Sequence, residues 1–435
     1  MNIDLILSGG TVVNQDGTFE RDVAVHQGRI VGLGDVSAFR AAEVLNCRNL
    51  HILPGVIDSQ VHFREPGPTH KEDLESGSRA AVMGGVTAVF EMPNTKPETT
   101  TAEALADKVT RATHRMFCDF AFYVGGTRDN LDQISALEKL PGSAGIKVFI
   151  GSSTGDLLVE DDEGLSNIIS RLSRRAAFHS EDEFRLRARV SHQVPNDASS
   201  HPIWRDAEAA RLCTERLLRI AKHHNKRIHV LHISTADELP LLAANRDLAT
   251  VEVTPHHLTL SSDDYERLGT KLQMNPPVRE KHHREALWRA INSGLIDVLG
   301  SDHAPHTLDE KAKPYPQSPS GMTGVQTLVP MMLDHVNNGR LSLRRLVDLT
   351  SHGPQRIFNI KNKGRIAEGY DADFTIVDLK RQETISNHWI QSKCGWTPYD
   401  GVKVQGWVVG TFVRGHLAMW QGELTAKAKG EAVKF

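Results

Sequence analysis

A (β/α)8 TIM-like barrel beside a small β-sandwich built from both chain termini is the fold class the sequence predicts. Three observations carry that reading. Eight short apolar, β-branched runs recur through the middle of the chain, most of them separated by helix-like stretches. Gly-, Asn- and Asp-punctuated β texture occupies both ends instead. The 435 residues are long enough to bury a barrel core with residues to spare.

The first fifty residues read as short strands cut by turns, with Asp4–Leu7, Thr11–Val13, Val23–Val25 and Arg29–Leu33 as the apolar pieces. The eight central runs are Gly55–Phe63, Thr87–Met92, Asp119–Val124, Gly145–Ile150, Ala176–His179, Arg227–Ile233, Thr250–Thr254 and Ile296–Gly300. Continuous apolar runs of this kind suit parallel strands buried on both faces. Between them Leu74–Met83, Thr101–Thr113, Glu163–Arg175 and Ile203–His223 read as helices. Eight such units over roughly 250 residues fit a closed barrel better than an open sheet. After Gly364 the β texture returns, for example in Ala372–Val377 and Gly406–Val413. The expected division is therefore residues 1–53 plus 365–435 for the sandwich and 54–364 for the barrel. The Pro-, Ser- and Lys-rich stretch Lys311–Gly321 reads as a mobile loop.

Composition excludes several classes. Hydrophobic residues at 39% and charged residues at 24% exclude a disordered or fibrous chain. Lys+Arg 51 against Asp+Glu 54 gives a net charge of −3, which argues against a nucleic-acid or anionic-membrane partner. No apolar run approaches the ~18 residues of a membrane span, and the first residues lack a basic leader pattern. Cys47, Cys118, Cys213 and Cys394 are scattered without a C-x-x-C pair, so a reduced, cytoplasmic protein is the expected class.

A barrel of this type places its site at the C-terminal strand ends. Those ends carry His62, Lys147, His179, His232 and Asp302, emerging from apolar runs. Taken singly, His179 or His232 reads as a hydrogen-bonded core histidine. Lys147 within Ile146–Ile150 is harder to place, because lysine is almost never buried without a partner. An inward lysine paired with a carboxylate such as Asp302 accounts for Lys147 alone. The joint pattern of imidazole and carboxylate donors without thiolate points to a catalytic Zn²⁺, Mn²⁺ or Fe²⁺ site. Arg64 lies two residues past His62, on the same strand face, and is placed to clamp a carboxylate.

The ordered set Asp58-Ser-Gln-Val-His62-Phe-Arg64-Glu-Pro-Gly67, Met92-Pro-Asn-Thr95, Gly145-Ile-Lys147, His179-Ser-Glu-Asp182, His232-Ile-Ser-Thr235, Asn275-Pro-Pro-Val-Arg279 and Asp302-His-Ala-Pro-His306 resembles the amidohydrolase superfamily. Within it the set is similar to the dihydroorotase family, and His-Phe-Arg-Glu-Pro-Gly followed by Met-Pro-Asn-Thr favours that family over hydantoinases and allantoinases. The resemblance implies a metal-dependent cyclic-amide hydrolase that interconverts N-carbamoyl-aspartate and dihydroorotate in pyrimidine biosynthesis. It implies one or two Zn²⁺ ions per chain, with His62 and Asp302 on the first and His179 and His232 on the second. Lys147, N6-carboxylated by CO₂, would join them. Asp302 would act as general base and then acid. Arg64, Asn94 and His306 match groups that bind the substrate carboxylate, and Asn275 matches a further substrate contact. The segment Pro314–Gly324 would close over the ring. The resemblance also implies a homo-oligomer, a dimer or tetramer.

One departure stands out. The family's first strand carries His-x-His, and Gln60 replaces the first His. A neutral amide oxygen is a weaker Zn²⁺ ligand than imidazole. Three outcomes stay open: Gln60 ligates through its oxygen, the first metal site is weak or empty, or the chain is a catalytically silent scaffold. A hydantoinase- or allantoinase-like hydrolase is a further alternative. Other signals carry less. Gly151-Ser152-Ser153-Thr154-Gly155 matches a nucleophile elbow by pattern only. Gly32-Leu33-Gly34 is too short for a dinucleotide loop. The His-His pairs at His223 and His282 read as solvated helix faces, and His256 stays outside the metal set.

Overall fold

The computed structural model describes residues 1–151, 157–425 and 428–435. Eight parallel strands follow one another in chain order around one sheet: Val56–Val61, Val86–Glu91, Asp119–Gly125, Ser143–Phe149, Ala176–His179, Ile228–Val230, Ala249–Val253 and Val298–Leu299. A parallel bridge between Val61 and His303 and a 2.7 Å hydrogen bond from His62 N–H to His303 O join the first strand to the last. The sheet is thus a closed barrel, and each expected run overlaps its strand. The sixth and eighth strands are shorter than expected. Beyond them His232 and Asp302 turn to φ 37° and 48°, which takes the chain out of the ladder.

The helices begin where side chains satisfy their free N–H groups. Asp73 caps Leu74–Met83, with its side chain accepting from Ser76 N–H at 2.8 Å. Thr101 caps Ala102–Ala112. The expected helix Ile203–His223 is two helices, His201–Trp204 and Ala207–His223. Asp206 interrupts it because its carboxylate accepts from Ala209 N–H and so starts a new helix.

The terminal segments form two sheets. Arg29–Gly34, Asp22–His26, Asn2–Ser8 and Arg40–Asn46 make one, in that order. The expected hairpin texture holds only in part, since Asn2–Ser8 runs antiparallel to Asp22–His26 but parallel to Arg40–Asn46. The second sheet interleaves the chain ends, with His51–Pro54 antiparallel to Phe374–Thr384 and parallel to Thr11–Asn14. Leu7, Val12, Val25, Ile52, Phe374 and Phe412 pack between the two sheets. Among the described residues no helix is long and apolar enough to cross a membrane.

The fourth barrel strand shows how a register detail positions a site residue. Phe122 pairs with Ser143, but Tyr123 pairs with Gly145, so the strand carries a bulge there, and Gly145 takes φ +117°. Ala144 packs with the barrel-interior residues Phe90 and Tyr123, whereas Ile146 and Val148 pack with the outer, helix-facing core. The bulge switches the alternation, and Lys147 and Phe149 face inward as a result.

A buried charge cluster fastens the sandwich to the barrel. Lys363 donates to Asp119 of the third barrel strand and to Asp373, each at 2.6 Å, and lies 3.0 Å from Asp371. Removing the cation leaves buried Asp373 without a cationic partner beside Asp119 and Asp371, which keep Arg414 and Arg29. Lys363→Met should therefore cost about 3–5 kcal/mol in urea unfolding. An unchanged midpoint would show that the cluster does not hold the two parts together.

Candidate active site and metal centre

A cavity of about 330 Å³ opens at the C-terminal mouth of the barrel. Gln60, His62, Arg64, Asn94, Lys147, His179, His232, Asn275, Asp302 and His306 all line it. All ten residues singled out from the sequence therefore meet in one place, although Gln60 and His306 are far apart in the chain. Arg64, His232 and Asp302 have positive φ angles of 65°, 37° and 48°. Left-handed backbone at non-glycine residues costs about 1–3 kcal/mol each and clusters at functional sites.

The first donor group comes from strands one, two and eight. His62 Nδ1 lies 2.8 Å from Asn94 Oδ1, which only accepts, so Nδ1 carries the ring proton. That leaves the Nε2 lone pair facing Asp302 Oδ1 at 3.2 Å. Burial pulls the His62 pKa down, against protonation of that nitrogen. Gln60 Nε2 donates to the same Asp302 oxygen at 3.0 Å, and Gln60 Oε1 is buried without a partner. A half-turn of the amide would set Oε1 beside Asp302 Oδ1.

The second group comes from strands five and six. His179 Nε2 donates to Glu181 Oε2 at 2.9 Å, so its Nδ1 holds a lone pair. That nitrogen lies 3.0 Å from His232 Nε2. His232 Nδ1 is buried with no partner. Burial holds His179 low and His232 well below the ordinary imidazole value, so both rings are neutral. Burial alone would raise Glu181, but Arg205 and His179 hold its carboxyl far below the usual range. Glu181 thereby fixes the His179 ring and tautomer.

Among the described residues no three His, Cys, Asp or Glu side chains form a metal cluster by themselves. The donors come instead as two pairs. Lys147 is close enough to Asp302 on one side, and to His179 and His232 on the other, for their charges to act on one another. It makes no ion pair among the described residues, lies 4.4 Å over the Phe149 ring, and is drawn down to about 7 by burial. Two converging sets of lone pairs with too few protons, joined by an inward amine, fit a divalent cation with nitrogen and oxygen ligands.

The opposite wall is cationic and polar. Arg64 donates from Nε to Pro305 O at 3.2 Å and makes no ion pair among the described residues. Its Nη2 lies 3.3 Å from His306 Nε2. Lys71 donates to His306 Nδ1 at 3.0 Å, and His306 Nε2 donates to Ser320 O at 3.0 Å, which fixes the neutral tautomer. Asn275 Oδ1 accepts from His201 Nε2 at 3.0 Å.

The segment Lys311–Gly321, expected as a mobile loop, makes several internal hydrogen bonds. Lys311 Nζ donates to Pro319 O at 2.7 Å, Gln273 Nε2 donates to Ser318 O at 3.0 Å, and Gly321 N–H donates to Gln273 O at 2.8 Å. Proline, serine and lysine read as a loop tip from sequence alone, but here their polar groups find internal partners. Pro319, Ser320 and Gly321 already wall the cavity.

Several supporting groups escaped the sequence reading. Glu181 sat unremarked in the His179-Ser-Glu-Asp182 motif, and Lys71 had no local signal. His201 lies far from Asn275 in the chain. Below the cavity, Asp58 accepts from Ser301 N–H at 2.9 Å, and burial raises its pKa to about 7. Glu252 accepts from Ser59 Oγ at 2.8 Å. Asp58, like Lys147, is a charged residue within an apolar run, and that pattern is the sequence signal for it.

The amidohydrolase family model matches residues 51–418. The chain belongs to that family. It is 36% identical over 441 residues to the dihydroorotase of Halobacterium salinarum, covering 99% of each. It is 35% identical to the dihydroorotase of Pyrococcus furiosus, covering 99% of this chain and 96% of the relative. Among solved structures it superposes on the L-hydantoinase (dihydropyrimidinase) from Arthrobacter aurescens with a TM-score of 0.95 at 30% identity, covering 100% of both chains. A dihydropyrimidinase from Brevibacillus agri matches at a TM-score of 0.91 and 26% identity, covering 98% of this chain and 97% of that one.

The other sequence signals resolve simply. All but Gly151 of the Gly151–Gly155 match lies outside the described residues. His223 and His282 are exposed, while His283 is buried and accepts from Ala236 N–H at 2.9 Å. His256 packs on His257 and is not among the cavity residues.

His201 supplies a test of this buried wall. Burial and then Arg205 hold it down to about 3, against an ordinary 6.5. The unfolded chain therefore takes up a proton below 6.5 that the folded chain refuses, so the contribution of neutral His201 is full above 6.5 and drains away as the pH falls toward 3. Wild-type urea midpoints should fall relative to those of His201→Gln as the buffer is moved from about pH 7 to about pH 5. Parallel curves would mean that His201 is not buried and neutral.

Proposed function

We propose that this chain is a metal-dependent dihydroorotase, interconverting N-carbamoyl-L-aspartate and L-dihydroorotate. The observation that carries the reading is Arg64, a guanidinium without an ion-pair partner among the described residues, in the cavity that holds the two donor pairs. A planar fork of N–H donors matches a carboxylate. Dihydroorotate has a ring carboxylate and hydantoin has none. The names of the full-length relatives support the same reading.

In this reading the cofactor is Zn²⁺, one or two ions per chain. His62 and Asp302 would hold one ion and His179 and His232 the other, with N6-carboxylated Lys147 as a further ligand. Gln60 would add its amide oxygen to the first ion as a weak ligand. When bound, the metal supplies Lewis-acid polarisation of the amide carbonyl and a water of lowered pKa. The protein's own groups do the rest. Arg64, Asn94 and His306 seat the carboxylate, and Asn275, steadied by His201, contacts the ring. Asp302 takes a proton from water and returns it to the amide nitrogen as the ring opens. In cyclisation the same proton travels in reverse. Pro319–Gly321 exclude bulk water from the ring. Lys147, buried and drawn to about 7, presents the neutral amine that bonds to CO₂ with loss of a proton.

The reading also includes a cytoplasmic home, which suits four buried free cysteines, and a homo-oligomeric dimer or tetramer. It divides the chain into a frame, 1–53 plus 365–435, and a hydrolase barrel, 54–364. A hydantoinase-type activity is the second reading, favoured by the 0.95 TM-score to the Arthrobacter enzyme.

Steady-state assays with dihydroorotate and with hydantoin separate the two, and turnover of hydantoin alone would overturn the first. Dialysis against a chelator should abolish turnover and added Zn²⁺ should restore it. Equal rates before and after would remove the metal from the account. Arg64→Ala should lower kcat/KM for dihydroorotate about a hundredfold, near 3 kcal/mol, with bound metal unchanged. Full turnover in that variant would refute the clamp.

A further inference from the structure

A second cavity, of about 690 Å³, lies at the opposite end of the barrel. Its walls include Arg174, Arg175, Lys226, Arg227 and Arg356, with Asp247 as the one carboxylate among them. Apart from Arg356, which lies in the helix Gly353–Phe358, these residues stand at the N-terminal strand ends. Arg175 immediately precedes Ala176–His179, and Arg227 immediately precedes Ile228–Val230. Because Ala176 pairs with Ile228, two dibasic pairs distant in sequence, Arg174-Arg175 and Lys226-Arg227, stand side by side on neighbouring strands. Like charges placed so repel one another.

The partners of these cations are mostly neutral. Arg174 donates to Glu138 O at 2.5 Å and Phe358 O at 3.5 Å. Lys226 donates to Leu172 O at 2.6 Å. Arg175 Nη1 donates to Ile228 O at 3.2 Å and Thr250 Oγ1 at 3.1 Å, while its Nε is buried with no acceptor. The nearby Glu138 carboxylate is occupied by the backbone N–H groups of Ser173 and Arg174. Arg356 alone reaches a carboxylate, Asp297 at 3.2 Å, and shares it with Arg246. Neither Arg175 nor Arg227 makes an ion pair among the described residues. Burial, then the positive charge of Arg227, pulls Arg175 down to about 10. Leu172, Leu248 and Phe358 give the cavity an apolar side.

We propose that this floor cavity is a binding site for a phosphate-bearing small molecule, held by the Arg174-Arg175 and Lys226-Arg227 pairs. Guanidinium forks without carboxylate partners suit phosphate oxygens, and the anion would relieve the repulsion between the two pairs. The site is separate from the mouth cavity and does not depend on the reaction assigned there.

Isothermal titration of the full-length, metal-loaded chain with inorganic pyrophosphate tests the proposal. Wild type should bind, and Arg227→Glu, at an exposed position, should weaken binding about tenfold or more. Arg175→Gln should weaken it in the same direction. Arg64→Ala, at the other end of the barrel, should bind as wild type does. Pyrophosphate should also raise the wild-type melting temperature, and raise that of Arg227→Glu less at the same concentration. No binding at millimolar pyrophosphate, equal affinity in Arg227→Glu, or loss of binding in Arg64→Ala would each overturn it.

Discussion

His62 turns one ring nitrogen to Asn94 and the other, a lone pair, to an Asp302 oxygen. His179 does the same between Glu181 and His232. Both arrangements leave a lone pair without a proton: His62 Nε2 faces a carboxylate oxygen, and a proton on His232 Nε2 serves His179 Nδ1 but leaves buried His232 Nδ1 unpartnered. A protein interior tolerates such convergence where a cation is the missing partner. The rest of the mouth serves this constraint. Glu181 and Arg205 form a buried ion pair that fixes one ring, and Asn94 fixes another. Left-handed backbone at His232 and Asp302 turns both side chains into the cavity.

Barrel closure makes the convergence available. Eight parallel strands ending at one rim place residues from distant segments within hydrogen-bond distance, without any of them needing to be neighbours in sequence. The two rims then follow different charge logic. At the mouth, imidazoles, a carboxylate and a lysine without an ion pair among the described residues converge on one cavity. On the floor, the strand starts bring cations together with almost no acids between them. The sandwich contributes at a distance, since its sheets are shared by both chain ends and its Lys363 cluster grips the third barrel strand.

Much of the site was legible because chemistry showed through texture. A lysine or histidine emerging from a β-branched run is conspicuous, and all ten candidates reach one cavity. Supporting residues were less visible. Lys71 and His201 lie in polar stretches, where a charged or imidazole side chain is ordinary. For the segment Lys311–Gly321, composition shows polar groups but not which partners await them.

The sequence by itself determined the alternation of strands and helices, the β-rich ends and the order in which ligating residue types appear, because these depend on local periodicity and side-chain chemistry. Only the tertiary structure decided which way those residues face. The bulge at Gly145 turns Lys147 inward, the pairing of Ala176 with Ile228 sets two dibasic pairs side by side, and the Val61–His303 bridge brings Asp302 to His62. Each of these rests on strand register, and register is set by contacts between distant segments that no window of sequence contains.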